Sequence, residues 1–213
     1  MEQPSFQSFA KRAKQYWWID GLPEIGFGTE MLLLALYFFL MEQIQSETWS
    51  ILAASIGLPM LFVATFYGIS KLVMYLKKKI TFPRTGYVRY PERQPASRRR
   101  RMLIGGVIGL LTAMLINLSL AFFGVNAQWM VIALIMMMSM VYIGYLVSVF
   151  RYYVMGVLSL LWGMSMIWMP LDANILYACF FCGVGIIFCI SGLVVLMRYL
   201  QRYPRSEGDD YAG

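Results

Sequence analysis

The chain contains no histidine and few charged residues. Lys, Arg, Asp and Glu make up 14% of its 213 residues, whereas 60% of the residues are hydrophobic and the mean hydropathy is +0.63. Soluble domains carry roughly 25% charged residues, so this composition excludes an ordinary soluble domain. The absence of histidine removes the commonest metal ligand and the commonest general base. A metal centre and acid–base catalysis are therefore both disfavoured.

Cysteine is scarce as well, and its placement excludes a disulfide framework. Cys179, Cys182 and Cys189 all lie in one apolar segment, where we interpret them as small packing residues rather than metal ligands. The N-terminus lacks a signal peptide, so the first twenty residues are expected to be retained. Asp20-Gly21 matches only half of the pattern of metal-dependent phosphoalcohol transferases, and nucleophile-elbow, Walker and intramembrane-protease motifs are missing. We predict no catalytic residue, no cofactor and no metal, and expect no enzyme activity.

What the chain has in abundance is long apolar segments. Six of them reach or approach the ~20 residues that span a ~30 Å hydrocarbon core. They are Leu22–Met41, Trp49–Leu76, Met102–Phe123, Trp129–Val149, Tyr152–Met169 and Ile175–Met197. The pattern predicts an all-α integral membrane protein with six transmembrane helices.

The positive charges indicate the orientation of these helices. The segment Lys77–Arg101 alone carries ten of the eighteen Lys and Arg residues, and seventeen of the eighteen fall on one side of the predicted bundle. Lys- and Arg-rich short loops stay in the cytoplasm, so both termini and this loop are predicted to be cytoplasmic. Because the net charge of +7 is concentrated at membrane edges, nucleic acid is not the expected partner.

The chain accordingly divides into five parts. They are a cytoplasmic interfacial segment (1–21), a transmembrane hairpin (22–76), the basic cytoplasmic loop (77–101), a four-helix transmembrane part (102–197) and a cytoplasmic tail (198–213). Within the first part, Pro4–Tyr16 has the apolar and cationic faces of a helix lying among lipid headgroups. Trp17 and Trp18 follow as an aromatic belt.

Two stripes of small residues predict close helix packing. The third segment repeats small residues and one amide every four positions (Gly105, Gly109, Ala113, Asn117 and Ala121), and the sixth has a similar stripe (Ala178, Cys182, Gly185, Cys189 and Gly192). Lipid provides no hydrophobic drive between helices, so close backbone approach must hold them together. In the second segment, Pro59 predicts a kink, which we interpret as a bend in an overlong helix; a transport-site kink is the alternative.

Two charged residues lie inside the predicted hairpin. Glu30 is ~12 Å and Lys71 ~9 Å from the inner ends of their helices at 1.5 Å per residue. Because the two helices are antiparallel, these depths predict a Glu30–Lys71 ion pair. A structural pair is the favoured interpretation, and an ion or proton path that includes Asn117 is the alternative.

The basic loop contains more than topology requires. In Thr81–Tyr90, Pro83 and Gly86 bracket a predicted turn with Arg84-Thr85 at its centre. We predict a docking site for a partner or anionic lipid, formed by Arg84, Thr85, Gly86, Tyr87, Arg89 and Tyr90.

The motifs YWWIDGLPEIGFG (residues 16–28) and FPRTGYVRY (residues 82–90) carry a family resemblance. They resemble segments of an uncharacterised family of bacterial multi-pass membrane proteins and cover about a tenth of the chain. The resemblance implies a bacterial cytoplasmic membrane and transfers no catalytic residue. The expected function is association, as a membrane subunit or accessory and regulatory partner that can also self-associate. A small transporter or channel for an ion or small solute, using Glu30, Lys71 and Asn117, is the alternative.

Overall fold

The computed structural model describes residues 17–85, 107, 109–112, 114–118, 121–122 and 125–204. These residues lie in helices, turns or short connections, and none of them forms a strand. The all-α class is therefore confirmed. Several predicted features lie outside the described residues: the amphipathic helix Pro4–Tyr16, Gly105 and Ala113 of the third segment, and Gly86, Tyr87, Arg89 and Tyr90 of the basic loop.

We number the helices α1 to α6 in chain order. Helix α1 is Leu22–Met41. Helix α2 is a continuous run of Glu47–Leu52, a π-helical turn Ala53–Gly57, Leu58–Leu76, a second π-helical turn Lys77–Thr81, and Phe82–Thr85. The remaining helices are α3 (Gly109–Leu118), α4 (Val125–Val147), α5 (Arg151–Ser165, followed by a 3₁₀ turn Met166–Trp168) and α6 (Ala173–Arg202).

Four stretches in the described part of the chain are long and apolar enough to cross a membrane. They are Leu22–Met41, Thr48–Arg84, Gln128–Val147 and Ala173–Arg202. The fifth predicted span is shorter than expected, because α5 has 15 α-helical residues against the ~20 that a bilayer requires. Its chain leaves helical geometry before Pro170, as residues preceding proline commonly do.

The chain forms two compact units, the first containing α1, α2 and α6, and the second containing α3, most of α4, and α5. In the first unit, α1 packs most extensively against α6. Glycines make this close approach possible: a Cβ atom on Gly28 would lie 2.8 Å from the Gly185 carbonyl oxygen and 2.6 Å from Cys189 Sγ. The stripe of α6 thus faces α1, with Cys182 half-buried beside it. Backbone proximity of this kind holds helices together in lipid.

Helix α2 packs on another side of α1. A Cβ atom on Gly26 would lie 2.8 Å from a Val73 methyl group and 3.1 Å from one of Ile69. The face of α2 that turns inward repeats every four residues, and its members are Leu61, Thr65, Ile69, Val73, Lys77 and Thr81. This face sets the polar contacts between the two helices.

Each π-helical turn of α2 precedes a proline by two residues. Proline clashes with the carbonyl four residues earlier, and those carbonyls, of Ser55 and Lys79, lie inside Ala53–Gly57 and Lys77–Thr81. The wider turns relieve both clashes, so α2 continues through Pro59 and Pro83. The predicted turn centred on Arg84-Thr85 is therefore wrong, because both residues are helical, and the helix reaches nine residues into the segment predicted as loop.

In the second unit, α5 contacts α4 through a glycine and two methionines. A Cβ atom on Gly156 of α5 would lie 3.2 Å from Met140 Cβ and 3.3 Å from the Met137 carbonyl oxygen. Methionine adapts its shape to such gaps. In α3, by contrast, a Cβ atom on Gly109 would meet no described atom within 4 Å. The structure thus gives the predicted stripe of the third segment no packing partner at Gly109.

Candidate functional site

A buried polar cluster joins the start of α1 to the end of α2. Lys77 Nζ lies 2.5 Å from Asp20 Oδ2, and both side chains are almost completely buried, with exposures of 1% and 0%. The ammonium also donates to the Trp17 carbonyl oxygen at 2.7 Å and lies over the Trp17 ring, 4.6 Å from its centroid. Two oxygen acceptors and an aromatic ring therefore surround the Lys77 ammonium and offset the cost of burying its charge.

The start of α1 holds the Asp20 carboxylate in position to bind Lys77 and Thr81. Its Oδ1 accepts from the Leu22 backbone N–H at 3.2 Å, at the start of α1, where the positive end of the helix dipole stabilises an anion. Gly21 adopts a left-handed conformation with φ of 72°, which is accessible to glycine at little cost. Asp20 Oδ2 then accepts from both Lys77 and the Thr81 hydroxyl, the latter at 2.8 Å.

Helix α6 is attached to the same place through three further hydrogen bonds. The Tyr199 hydroxyl donates to the Thr81 carbonyl oxygen at 3.3 Å. Arg84 Nη1 donates to the carbonyl oxygens of Tyr203 at 3.0 Å and Leu200 at 3.4 Å. A cation at a helix C-terminus satisfies carbonyls that have no partner within the helix. We call this set of residues, Trp17, Asp20, Lys77, Thr81, Arg84 and Tyr199, the junction.

Glu24 lies one turn beyond Asp20 on α1 and is 1% exposed. Its negative charge acts on Lys77 together with that of Asp20. Both carboxylates are therefore enclosed by the first unit.

Glu30 and Lys71 do not pair. Glu30 is 3% exposed, and its Oε1 accepts from the Thr65 hydroxyl at 2.7 Å. Lys71 is exposed and lies over the Tyr67 ring, 5.0 Å from the centroid. The predicted pair is wrong because Lys71 is two residues from both Ile69 and Val73, about 200° around the helix from the packed face. The junction also aligns Lys77 with Asp20, which brings Thr65 rather than Lys71 to the level of Glu30.

The carboxylate of Glu30 is only partly satisfied by Thr65. Glu30 Oε2 is buried and has no hydrogen-bond partner in the described part of the chain. Asn117, the third residue of the predicted path, is exposed and belongs to the second unit. Within the first unit, Glu30 and Thr65 thus form a small polar site that does not include Lys71.

The predicted docking motif is divided by the end of α2. Arg84 and Thr85 are helical, and Arg84 is bound to α6, whereas the rest of the motif lies outside the described residues. Within the described residues, no cluster of three or more His, Cys, Asp or Glu side chains has a geometry that could hold a metal ion. The three cysteines are free thiols.

Sequence reasoning missed the junction because it assigned Lys77 to the loop as one cation among ten. A signal was present: Asp20 and Glu24 are four residues apart, as are Lys77 and Thr81, which places each pair on one helix face. No family model matches the chain, and neither the curated proteins nor the solved structures contain a match to it.

Proposed function

We propose that this chain is a six-span protein of the bacterial cytoplasmic membrane, with both termini in the cytoplasm, that acts by associating with a protein partner. It is an accessory or regulatory subunit rather than an enzyme. The basic segment after Thr85 is the part of the chain that the partner contacts. The family resemblance of residues 16–28 and 82–90 is consistent with this role and adds no activity to it.

The junction is the observation that carries the proposal. It attaches the end of α2 to α1 through Lys77 and to α6 through Arg84. Orientation in the membrane needs only the positive charges of the basic segment. Orientation does not require the Lys77–Asp20 ion pair or the hydrogen bonds of Arg84 to the end of α6. These contacts hold the start of the basic segment in one position. Such positioning lowers the entropic cost of docking a partner.

Arg84 has a different role from the one its sequence context indicates. Its guanidinium is directed to α6 carbonyl oxygens, so it positions the docking segment. Arg89, Tyr87 and Tyr90 remain as the contact residues of the proposal, since Arg offers a planar fork for carboxylate or phosphate and Tyr offers contact area with a polar tip.

Co-purification in mild detergent tests this proposal. The test variant combines Gly86→Val with Tyr87→Ala, which keeps every positive charge and changes the shape of the segment. We expect normal membrane insertion and monodispersity but loss of the co-purifying partner. A matched variant, Gly68→Val with Tyr142→Ala, changes the same residue types at exposed positions of α2 and α4 and is expected to retain the partner. Retention of the partner by both variants would refute docking through this segment.

The unpartnered oxygen of Glu30 favours transport as a second candidate function. Carboxylates inside a membrane are costly and commonly serve ion or proton movement. The probe is proton flux into proteoliposomes, followed with an enclosed pH-sensitive dye under an imposed potential. Glu30→Gln should abolish the flux, and Glu42→Gln, at the far end of α1, should leave it unchanged. Equal dye responses from protein-containing and empty vesicles would exclude proton transport.

A further inference from the structure

One exposed face of α2 combines positive charge with aromatic side chains. Tyr67, Lys71, Tyr75 and Lys78 are all exposed and follow one another at intervals of four, four and three residues. At 100° per residue they lie within a sector of about 80°. The packed face, which contains Val73 and Lys77, lies on the opposite side of the helix. We call Lys71, Tyr75 and Lys78, with Tyr67 at the end, the cationic face of α2.

Among the described residues, the charges of this face have no counter-ion. The ion pair found in the described part of the chain joins Asp20 to Lys77, and neither Lys71 nor Lys78 has a carboxylate within pairing distance there. Lys71 instead lies over the Tyr67 ring, a contact worth about 0.5–1 kcal/mol at an exposed position. An unpaired ammonium on the lipid-facing side of a membrane helix is costly, so a partner from outside the chain would stabilise it.

The described residues of a second copy of the first unit offer no accessible carboxylate at this end. Among them, Asp20, Glu24 and Glu30 are each at most 3% exposed. Glu42 and Asp172 adjoin the opposite ends of α1 and α6. An occupant that brings its own negative charge to this end of the membrane therefore suits the face better than the described part of a second copy.

The position of Lys78 indicates what that occupant is. It adjoins Lys77, which is bonded to the carbonyl of Trp17, and Trp residues favour the headgroup level of a bilayer. Phosphate groups of anionic lipids lie at this level. Lys71 is seven residues, or ~10 Å, further into the span, and its flexible stem allows it to move from Tyr67 towards the headgroup.

We propose that the cationic face of α2 binds one anionic phospholipid, with its phosphate between the ammonium groups of Lys71 and Lys78 and the Tyr75 hydroxyl as an additional donor. The acyl chains lie along the exposed apolar surface of α2, near Phe66 and Val63. The site is separate from the docking segment after Thr85, so it does not depend on the protein partner. It would fix the depth of α2, and hence of the junction, in an anionic membrane.

Native mass spectrometry of the full chain in a neutral detergent tests this site. The probes are phosphatidylglycerol and, with the same acyl chains, zwitterionic phosphatidylcholine. Wild-type protein should retain one phosphatidylglycerol and lose phosphatidylcholine. Each basic residue near the headgroups contributes about fivefold in affinity, so Lys71→Gln with Lys78→Gln should weaken phosphatidylglycerol binding by about thirtyfold.

The control removes the same charge elsewhere. Arg198 and Arg202 are exposed near the end of α6, outside the cationic face of α2. Arg198→Gln with Arg202→Gln should therefore change the affinity for phosphatidylglycerol by less than about twofold, although it removes as much positive charge. Equal losses in the two variants would overturn the site in favour of unspecific attraction.

A composition-preserving variant guards against effects of misfolding. Exchanging Lys71 with its exposed neighbour Leu72 keeps the net charge and moves the ammonium about 100° around the helix. The exchanged protein should lose its preference for phosphatidylglycerol while remaining monodisperse, and retention of that preference would overturn the proposal. Displacement of the lipid by millimolar inorganic phosphate, or recovery of a protein ligand instead of a lipid on this face, would overturn it as well.

Discussion

Lys77 and Asp20 lie 57 positions apart in the sequence, and their side chains form a buried ion pair with a 2.5 Å distance between Nζ and Oδ2. Removing one member leaves the other charge buried, at a cost of about 3–5 kcal/mol, whereas replacing both is often close to neutral. We therefore expect Lys77→Met or Asp20→Asn to destabilise the protein strongly and the double variant to recover much of the loss. Denaturant unfolding in detergent measures the coupling, with Lys79→Met, at an exposed neighbour, as the control.

The same unfolding measurement tests whether Glu30 and Lys71 interact. Glu30 of α1 contacts the packed side of α2, whereas Lys71 lies on the exposed side of α2. Glu30→Gln and Lys71→Met should therefore have additive effects on the free energy of unfolding, within the ~0.5 kcal/mol typical of independent sites. Glu30→Gln and Thr65→Val should instead be coupled, since they share a hydrogen bond. Strong coupling between Glu30 and Lys71 would contradict the arrangement of the hairpin.

Gly28 is predicted to be intolerant of a side chain. Its Cβ position lies within 3 Å of Gly185 and Cys189, and overpacking costs about 1–3 kcal/mol. Gly28→Ala should lower the free energy of unfolding by that amount. Gly68→Ala, where a Cβ atom meets nothing within 4 Å, should be neutral or slightly stabilising, because alanine suits a helix interior better than glycine. Similar losses at both positions would contradict the close packing of α1 and α6.

Arg84 should protect the end of α6. Without its guanidinium, the carbonyls of Leu200 and Tyr203 lose a donor, and the last turn should fray. Arg84→Gln is expected to raise amide hydrogen exchange at Tyr203, whose N–H bonds to the Tyr199 carbonyl oxygen, by about tenfold, corresponding to ~1.4 kcal/mol. Arg202→Gln, at an exposed position of the same helix, should raise this exchange much less.

The proposed orientation is open to cysteine labelling. Single cysteines at Ser46 and Leu171 should react with a membrane-impermeant maleimide from outside intact cells, and cysteines at Arg89 and Tyr211 should react only after lysis. The background variant replaces Cys179, Cys182 and Cys189 with alanine. External labelling at Arg89 would contradict the cytoplasmic placement of the basic segment and, with it, the docking proposal.

Hydropathy predicted the bounds of a helix well where local signals in the sequence determine where the helix begins and ends. The predicted first span and α1 share the bounds Leu22–Met41, because Pro23 starts the helix and polar residues follow it. The end of α2 was misplaced by nine residues, since hydropathy falls at Lys77 although the helix continues. The burial of Lys77 depends on Asp20, and a local window contains no information about a partner 57 residues away.

The prediction for Glu30 and Lys71 failed for a similar reason, because a local stretch of sequence does not give the depth or the facing of a side chain relative to a neighbouring helix. Counting residues from each helix end gave Glu30 and Lys71 similar depths, but it assumed that α2 ends at Leu76 and that both side chains face each other. Helical phase alone separates Lys71 from the packed face. The relative register of α1 and α2 is set by the Lys77–Asp20 and Gly26–Val73 contacts, which appear only when the helices are assembled.

The π-helical turn Lys77–Thr81 makes the end of α2 unusually tolerant of the loss of a single residue. A π turn holds one residue more than the α-helical turn that replaces it, so deletion of Ile80 would convert the turn to α-helix without breaking α2. The residues beyond it would keep nearly the same rotation and height, Arg84 would stay at the end of α6, and the basic segment would emerge in its present direction. A deletion in a regular α-helical turn instead shifts the residues beyond it by one position, about 100° in rotation and 1.5 Å in height. In a comparison of deletions along α2, partner binding should therefore survive at this one turn.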